Sequence, residues 1–409
     1  MLGPGIITGA SDNDPSGIGT YSVAGASYGF GMLWLSWFTL PLVATCQNIS
    51  ARIGQASGKG LTTLVKEYYP AWLAYPFCIL LLIANTVTIG ADLGAMAAGV
   101  NLLAGVPANV VIVPVALLLV AAMVFGRYRA IAAVLKWLTL FLLAYMVTAF
   151  VVRPNWPQVL LAAVTPHLST DPKFISTLVA VLGTTITPYM WFWQTSQEVE
   201  EQVAEGQTKL RQRRGTTERA VQDRQLDVNF GSIVSNSVMF FVILTTGATL
   251  FTHGQHNVQS AADAAAALAP LGGSASRWLF GVGFIGMGLL AVPVLAGSTA
   301  YALCEACNWR VGLDRALHTV PQFYAVIAVA TGLGLVLNFT GINPIDALLL
   351  ASVINGVAAP LILAIIMLVA NHPHIMAGHR NGVVSNTLGW LTTGLMAAAA
   401  IALLLTLGQ

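Results

Sequence analysis

One stretch near the start of the chain reads Asp12-Asn13-Asp14-Pro15-Ser16-Gly17-Ile18-Gly19 and lies inside the first long apolar segment. Pro15 has no N–H group to donate within a helix, and Gly17 and Gly19 loosen the backbone that follows. Carboxylates and free backbone groups at membrane depth are tolerated only where they face protein or a water-filled cavity. The stretch therefore predicts a membrane helix that is broken near Pro15 and turns its polar groups towards a cavity.

The composition places the whole chain in a membrane. Of its 409 residues, 56% are hydrophobic and only 8% are charged, and the mean hydropathy is +0.75. A soluble domain carries about 25% charged residues. The apolar segments have the length of helices, which favours an all-α bundle over a barrel. No nucleophile–histidine pair and no nucleotide-binding motif is recognisable, so we expect neither an enzyme, nor a bound cofactor, nor a nucleic-acid partner.

Runs of roughly 20 apolar residues predict eleven transmembrane helices. The predicted spans are 4–28, 31–54, 71–100, 107–125, 131–152, 174–203, 229–251, 277–304, 320–339, 345–370 and 385–407.

The distribution of basic residues predicts the orientation. With the N-terminus in the cytoplasm, fifteen of the eighteen Lys and Arg residues fall on the inner side, as the positive-inside rule requires. The C-terminus then lies outside, and we expect a multi-pass protein of a bacterial-type inner (plasma) membrane. The charged segment 198–228 joins spans six and seven on the inside. Its mixed charges predict a solvated, flexible loop, with a regulatory or partner-binding role as the alternative.

A second proline interrupts span six, at Pro188 within the segment from Gly183 to Gln194. Two broken helices that are five spans apart indicate two inverted repeats of the LeuT type, in which the unwound segments form a binding site at mid-membrane. The repeats would be residues 1–152 (spans one to five) and 174–370 (spans six to ten), and 385–407 would be an extra helix. The alternative is a pair of ordinary proline kinks.

The two breaks offer hard oxygen ligands. The donors are the Asp14 carboxylate, backbone carbonyls near Asp12 and Thr184, and the side chains of Ser16, Thr187 and Gln194. Trp191 and Gln194 share the helical face of Thr187 and are expected to line the cavity. Such a set of oxygen ligands suits a hard divalent ion such as Mg²⁺ or Ca²⁺, and Mn²⁺ is the softest ion that it suits. A monovalent cation is an alternative, because oxygen ligands alone do not determine the charge of the ion. Asp92 in span three is a third deep carboxylate.

Several motifs resemble those of the Nramp metal transporters. Gly3-Pro4-Gly5, Asp14-Pro15-Ser16-Gly17, the run 24–29 and Leu33-Trp34 resemble the first helix of that family, whose motif DPGN lies in a GPG…AGA…FGY…LLW frame. The segment 183–194 resembles the family's TxxMPH region, and residues 92–95 resemble its DLAE motif. The resemblance covers essentially the whole chain and implies the same fold and orientation.

The resemblance also assigns site residues and exposes departures from the family. It implies that Asp14 is the metal-binding aspartate and that Thr184 contacts the metal through its backbone carbonyl. Gly17 stands at the position of the metal-binding asparagine. Thr187 replaces the metal-binding methionine, and Tyr189 replaces the histidine that follows. In span three Asp92 is kept, as a possible proton or ion pathway residue, but the glutamate is Ala95.

Losing the thioether removes the preference for soft ions, and losing the asparagine widens the site. This pattern resembles the Nramp-related magnesium transporters. The leading hypothesis is therefore a monomeric secondary transporter that imports partly hydrated Mg²⁺, and also Mn²⁺, without tight proton coupling. A proton-coupled Mn²⁺/Fe²⁺ importer and a LeuT-type amino-acid or amine transporter are the alternatives. A sensor that binds metal without transport is a third, from a different class.

Overall fold

The computed structural model describes residues 4–126, 143–376 and 378–406, and this part of the chain is helical, with no strand. The α-helices are α1 (Pro4–Ser11), α2 (Pro15–Tyr28), α3 (Trp34–Ser57), α4 (Leu61–Tyr68), α5 (Ala71–Ala104), α6 (Ala108–Phe125), α7 (Leu143–Val152), α8 (Trp156–Val164), α9 (Pro172–Thr185), α10 (Pro188–Ala204), α11 (Leu210–Arg213), α12 (Glu218–Thr249), α13 (Ala261–Ala266), α14 (Gly273–Ala306), α15 (Pro321–Leu337), α16 (Pro344–Asn371), α17 (Pro373–Met376) and α18 (Val383–Thr406).

Both helix breaks predicted from the sequence are present. Residues 12–14 separate α1 from α2, and residues 186–187 separate α9 from α10. Pro15 and Pro188 each stand at the start of the outgoing helix, where the missing N–H group would have no partner within the helix. The prolines therefore end one half-helix and begin the next, instead of kinking a continuous helix.

Seven helical segments of the described residues are long and apolar enough to cross a membrane. They are 72–104, 108–125, 172–204, 218–253, 274–306, 344–371 and 383–406. The other predicted spans coincide with α1–α2, with α3 and with the shorter α15. The fifth predicted span, 131–152, falls partly outside the described residues, which resume at α7. The multi-pass, all-α prediction is confirmed, and the count of eleven stays a prediction.

The predicted flexible loop 198–228 was wrong over most of its length. Residues 198–204 continue α10, and α12 already begins at Glu218, so only 205–217 connect the two helices. Some charges of this segment are paired between the helices, because Arg224 of α12 forms ion pairs with Glu198 and Glu201 of α10 and with Asp227. The paired charges stabilise two helical extensions against each other, which polarity alone could not reveal.

Glycines bring helix backbones into direct contact around the breaks. A Cβ atom added at Gly183 of α9 would lie 2.1 Å from the carbonyl oxygen of Ser352 and 2.3 Å from the backbone nitrogen of Gly356, both on α16. Small residues allow this close approach, which drives helix association in membranes. The contact fixes the half-helix that leads into the second break.

Replacing Gly183 with alanine should therefore destabilise the protein. The added methyl group meets backbone atoms that cannot rotate away, and such overpacking costs about 1–3 kcal/mol. The melting temperature of the purified protein measures the effect. Gly332→Ala in α15 is the matched control, because its Cβ would have no heavy atom within 4 Å. Equal melting temperatures for the two variants would contradict the close contact.

Candidate metal site at the two helix breaks

The first break is built around the Asp14 carboxylate. Asp14 caps α2, and its Oδ1 accepts a hydrogen bond from the Gly17 N–H at 2.7 Å. Two residues earlier, the Oδ2 atom of Asp12 accepts from the Ser235 hydroxyl on α12. The Asp12 Oδ1 and Asn13 Oδ1 atoms are buried and receive no hydrogen bond from any described residue. The break therefore presents buried oxygens that a cation could bind.

The second break leaves the Thr187 hydroxyl without a hydrogen bond. Thr187 is the residue that precedes α10, and a threonine there normally accepts from a backbone N–H of the first turn. Its side chain makes no such bond, and among the described residues its Oγ1 has no partner, although Thr187 is only 1% exposed. An unmet buried hydroxyl costs about 1–3 kcal/mol. A bound cation or its water would satisfy this oxygen.

Gly17 marks the point where the two breaks face each other. A Cβ atom built there would lie 3.4 Å from the carbonyl oxygen of Asp12, 3.4 Å from the Thr184 Oγ1 and 3.5 Å from the Asp14 Oδ1. These are ordinary contact distances, so a side chain at position 17 would point among these oxygens. The Tyr189 hydroxyl further ties α10 to α1, since it donates to the Ser11 carbonyl at 3.0 Å.

The electrostatics of the two breaks favour a cation. The partly negative C-terminal ends of α1 and α9 and the partly positive N-terminal ends of α2 and α10 meet at the breaks and largely offset each other, so the carboxyl groups of Asp12 and Asp14 decide the sign. No Lys, Arg or His of the described chain forms an ion pair with either aspartate. The described residues also contain no group of three or more His, Cys, Asp or Glu placed to hold a metal. A cation here would depend on mixed carboxyl, hydroxyl and carbonyl oxygens, or on water.

Asp92 of α5 lies beside the first break and accepts hydrogen bonds from Ser16. The Ser16 backbone N–H and hydroxyl both donate to Asp92 Oδ1, at 3.2 Å and 2.8 Å. The second oxygen, Asp92 Oδ2, is buried with no partner among the described residues. These hydrogen bonds tie Ser16 to α5, so its hydroxyl does not face the cavity freely. Asp92 thereby contacts a residue that follows Asp14 by two positions in the sequence.

Gln194 points away from the break in this conformation. Its Oε1 accepts from the Thr8 hydroxyl at 2.6 Å, and its Nε2 donates to Glu198 Oε1 at 2.7 Å. Trp191, the other residue expected on this face, is 1% exposed and packs in the core. Neither residue offers a free oxygen to the two breaks here.

The site is closed to solvent on both sides. Asp14 is 2% exposed and Thr184 4%. The hydroxyl groups of Tyr21 and Thr185 are hydrogen-bonded to each other at 2.9 Å. This bond joins the middle of α2 to the end of α9. The structure therefore shows an occluded arrangement of the two broken helices.

Sequence reasoning missed two residues that the structure adds to the site, Asn13 and Ser235, and it missed Thr8, which binds Gln194 away from the breaks. Asn13 could have been found, because it lies between the two aspartates of the quoted stretch and carries a hard amide oxygen. Ser235 gave no signal, since it contacts Asp12 from a position 223 residues away in an otherwise ordinary helix. Thr8 is one small polar residue among apolar ones, and only its contact with Gln194 distinguishes it.

The chain is similar over nearly its whole length to two bacterial proteins that carry the same name. The chain is 24% identical over 406 residues to the divalent metal cation transporter MntH of Aeromonas hydrophila, covering 97% of this chain and 93% of that protein. It is 26% identical to the MntH of Deinococcus radiodurans, covering 96% and 86%.

Solved structures show the same fold. A manganese transporter of Eremococcus coleocola superposes with a TM-score of 0.74 at 17% identity, covering 99% of this chain and 86% of that one. Mhp1, a nucleobase-cation-symport-1 family transporter, superposes with a TM-score of 0.60 at 14% identity, covering 99% and 91%. These neighbours support the LeuT-like arrangement predicted from the two breaks. The family model of the natural resistance-associated macrophage protein-like (Nramp) transporters matches residues 5–406, and the chain belongs to this family.

Proposed function

We propose that the chain is a secondary transporter that carries divalent metal ions across the membrane by alternating access. The ion would bind between the two breaks, held by the Asp14 carboxylate, the Thr187 hydroxyl and oxygens contributed near Asp12 and Thr184. The observation that carries the proposal is the Thr187 hydroxyl, which is buried at the start of α10 and has no hydrogen-bond partner among the described residues, at the break where the Thr184 hydroxyl lies with the Asp14 carboxylate around Gly17. The two sequence relatives from Aeromonas hydrophila and Deinococcus radiodurans are both named divalent metal cation transporters, which supports the same class of substrate.

We further propose that Mg²⁺ is carried in preference, with Mn²⁺ as a second substrate. Mg²⁺ prefers oxygen ligands and keeps part of its water shell. Two thioethers lie near the second break, and both accept hydrogen bonds from the protein: Met190 Sδ accepts from Gln47 Nε2 at 3.2 Å, and Met239 Sδ accepts from the Thr185 hydroxyl at 3.7 Å. Both thioethers are thereby engaged by the protein, and Gly17 adds no side chain among the oxygens of Asp12, Asp14 and Thr184, which are the hard ligands that Mg²⁺ prefers.

A Mn²⁺ importer is the second candidate, because the solved Eremococcus coleocola relative is a manganese transporter and Mn²⁺ also accepts oxygen ligands. Coupling to protons would separate the two. We propose loose coupling or none, since Ala95, which is 1% exposed, leaves Asp92 as the only titratable group of its motif. An organic substrate with a carboxylate is less favoured, because two aspartates at the break would repel it.

Uptake into liposomes tests the proposal. Purified protein should give saturable Mg²⁺ uptake, followed with a trapped fluorescent indicator, and Mn²⁺ uptake that Mg²⁺ inhibits. An imposed pH gradient should change neither rate substantially. Protein-free liposomes are the control. Uptake of Mn²⁺ alone, driven by the pH gradient, would favour the second candidate, and uptake of neither ion would refute the function.

A further inference from the structure

A chain of polar contacts leads from the first half-helix to a charged cavity. Thr8 on α1 donates to Gln194 at 2.6 Å, and Gln194 donates to Glu198 Oε1 at 2.7 Å. Glu198 is only 1% exposed, and it lies eleven residues after Thr187 on the same helix, which is about three turns. These two hydrogen bonds form a continuous polar path from Thr8, on the half-helix that leads into the first break, to Glu198.

Glu198 also lines a cavity of about 450 Å³ between the ends of α3, α10 and α12. The lining carries five carboxylates and one basic residue, Arg224. The positive-inside rule assigns this end of the molecule to the cytoplasm. A water-accessible cavity with this excess of negative charge would concentrate cations.

The Arg224 side chain lies between three of these carboxylates and contacts each of them. Its Nε lies 2.8 Å from Glu198 Oε1 and its Nη1 lies 3.2 Å from Asp227 Oδ2, while Nη2 contacts Glu201. The guanidinium thus satisfies, with one positive charge, a group of oxygens that would otherwise repel one another. The contacts of Nη1 with Asp227 and of Nη2 with Glu201 are charge-assisted hydrogen bonds, which are about twice as strong as neutral ones, whereas the contact of Nε with Glu198 is an ion pair without hydrogen-bond geometry.

An oxygen of Gln55 adds an independent sign of a ligand. Gln55 lines the same cavity from α3 and is 7% exposed. Its Oε1 atom is buried, and no described residue donates a hydrogen bond to it. A buried amide oxygen beside Glu198 without a donor is a costly arrangement that a bound cation would relieve.

The same cluster holds α1 in its closed position. Asp227 Oδ2 accepts from the Gly5 N–H at 2.7 Å, and a Cβ at Gly9 would lie 2.6 Å from the backbone of Gly231. The inner half of the broken helix is therefore packed on α12 next to Arg224. Movement of Arg224 would loosen the contacts that keep α1, α10 and α12 together at this end.

We propose that Glu198, together with Gln55, is a second binding position for the transported divalent cation, and that the Arg224 guanidinium fills this position in the occluded conformation. The ion leaving the breaks would displace Arg224 from Glu198 and enter the acidic cavity. This inference rests on the proposed transport function, and it adds a cytoplasmic site and a gate to it.

Counting bound Mn²⁺ by electron paramagnetic resonance, in which only the free aqueous ion gives a sharp signal, tests the second position. The wild-type protein should bind one Mn²⁺, at the breaks. Arg224→Gln should bind a second Mn²⁺, and Arg224→Gln combined with Glu198→Gln should return to one. Arg211→Gln, an exposed arginine outside the cavity, is the matched control and should leave the count at one.

The Asp14→Asn background separates the two proposals. Asp14→Asn should lower the count of bound Mn²⁺ from one to none in the wild-type protein and from two to one in the Arg224→Gln protein. An unchanged count on Asp14→Asn would refute the site at the breaks, whereas a single Mn²⁺ in folded Arg224→Gln would overturn the second position.

A transport measurement covers the case in which Arg224→Gln does not fold. Glu198→Gln keeps an oxygen acceptor for Gln194 but lacks the charge. It should lower the maximal rate of Mn²⁺ uptake about tenfold, the effect of losing one charge-assisted contact, while the Mn²⁺ dissociation constant at the breaks stays unchanged. A normal maximal rate in this variant would contradict the proposal.

Discussion

Asp14→Asn should abolish metal binding and uptake while leaving the fold intact. An asparagine at the start of a helix caps it about as well as an aspartate, so the Gly17 N–H keeps its acceptor. What is lost is the charge that faces the ion. Removing one partner of a buried charge pair costs about 3–5 kcal/mol, which corresponds to a hundredfold or greater loss of affinity. Mn²⁺ binding and Mg²⁺ uptake, measured on the same preparation, should fall together.

The control for this variant is another aspartate in the same structural role. Asp171 precedes α9 as Asp14 precedes α2, and its carboxylate accepts from the Lys173 N–H at 3.2 Å. Asp171 is exposed and lies at the opposite end of α9 from the second break, so Asp171→Asn should keep full uptake. If Asp14→Asn transported Mg²⁺ at the wild-type rate, the assignment of the site would be wrong.

The sequence predicted the fold further than it predicted the contacts of the site. Two prolines in apolar segments located both breaks, because proline cannot continue a helix and leaves a local mark. The charge pattern was less informative about local structure. Glu198, Glu201 and Arg224 indicated a loop by composition, and their pairing across two helices became visible only in three dimensions.

The same limit applies to the residues around the proposed ion site. Spacing placed Gln194 on the face of Thr187, but spacing does not say which partner a side chain chooses, and Gln194 is bound by Thr8 and Glu198. Ser16 was expected to offer its hydroxyl oxygen to an ion, whereas that hydroxyl donates to Asp92 Oδ1 at 2.8 Å. Long-range hydrogen bonds of this kind depend on how helices pack, which no local pattern records.

Thr187→Met should shift the selectivity of the transporter towards Mn²⁺. The thioether is a soft ligand that favours Mn²⁺ and Fe²⁺ over Mg²⁺, and the change breaks no hydrogen bond, since the Thr187 hydroxyl has none among the described residues. We expect the Mg²⁺ concentration that halves Mn²⁺ uptake to rise about tenfold, the scale of one ligand's contribution of about 1.4 kcal/mol.

Two further variants show whether the thioether itself causes the shift. Ile186→Met puts a methionine at the neighbouring buried position, which is 2% exposed, and should keep the wild-type selectivity. Thr187→Val has nearly the shape of threonine and lacks the hydroxyl, so it should weaken both ions without favouring Mn²⁺. If folded Thr187→Met transported Mg²⁺ and Mn²⁺ in the wild-type ratio, position 187 would not face the ion. The lack of a soft ligand could then no longer explain a preference for magnesium, and the Mn²⁺ importer would become the better reading of the same two breaks.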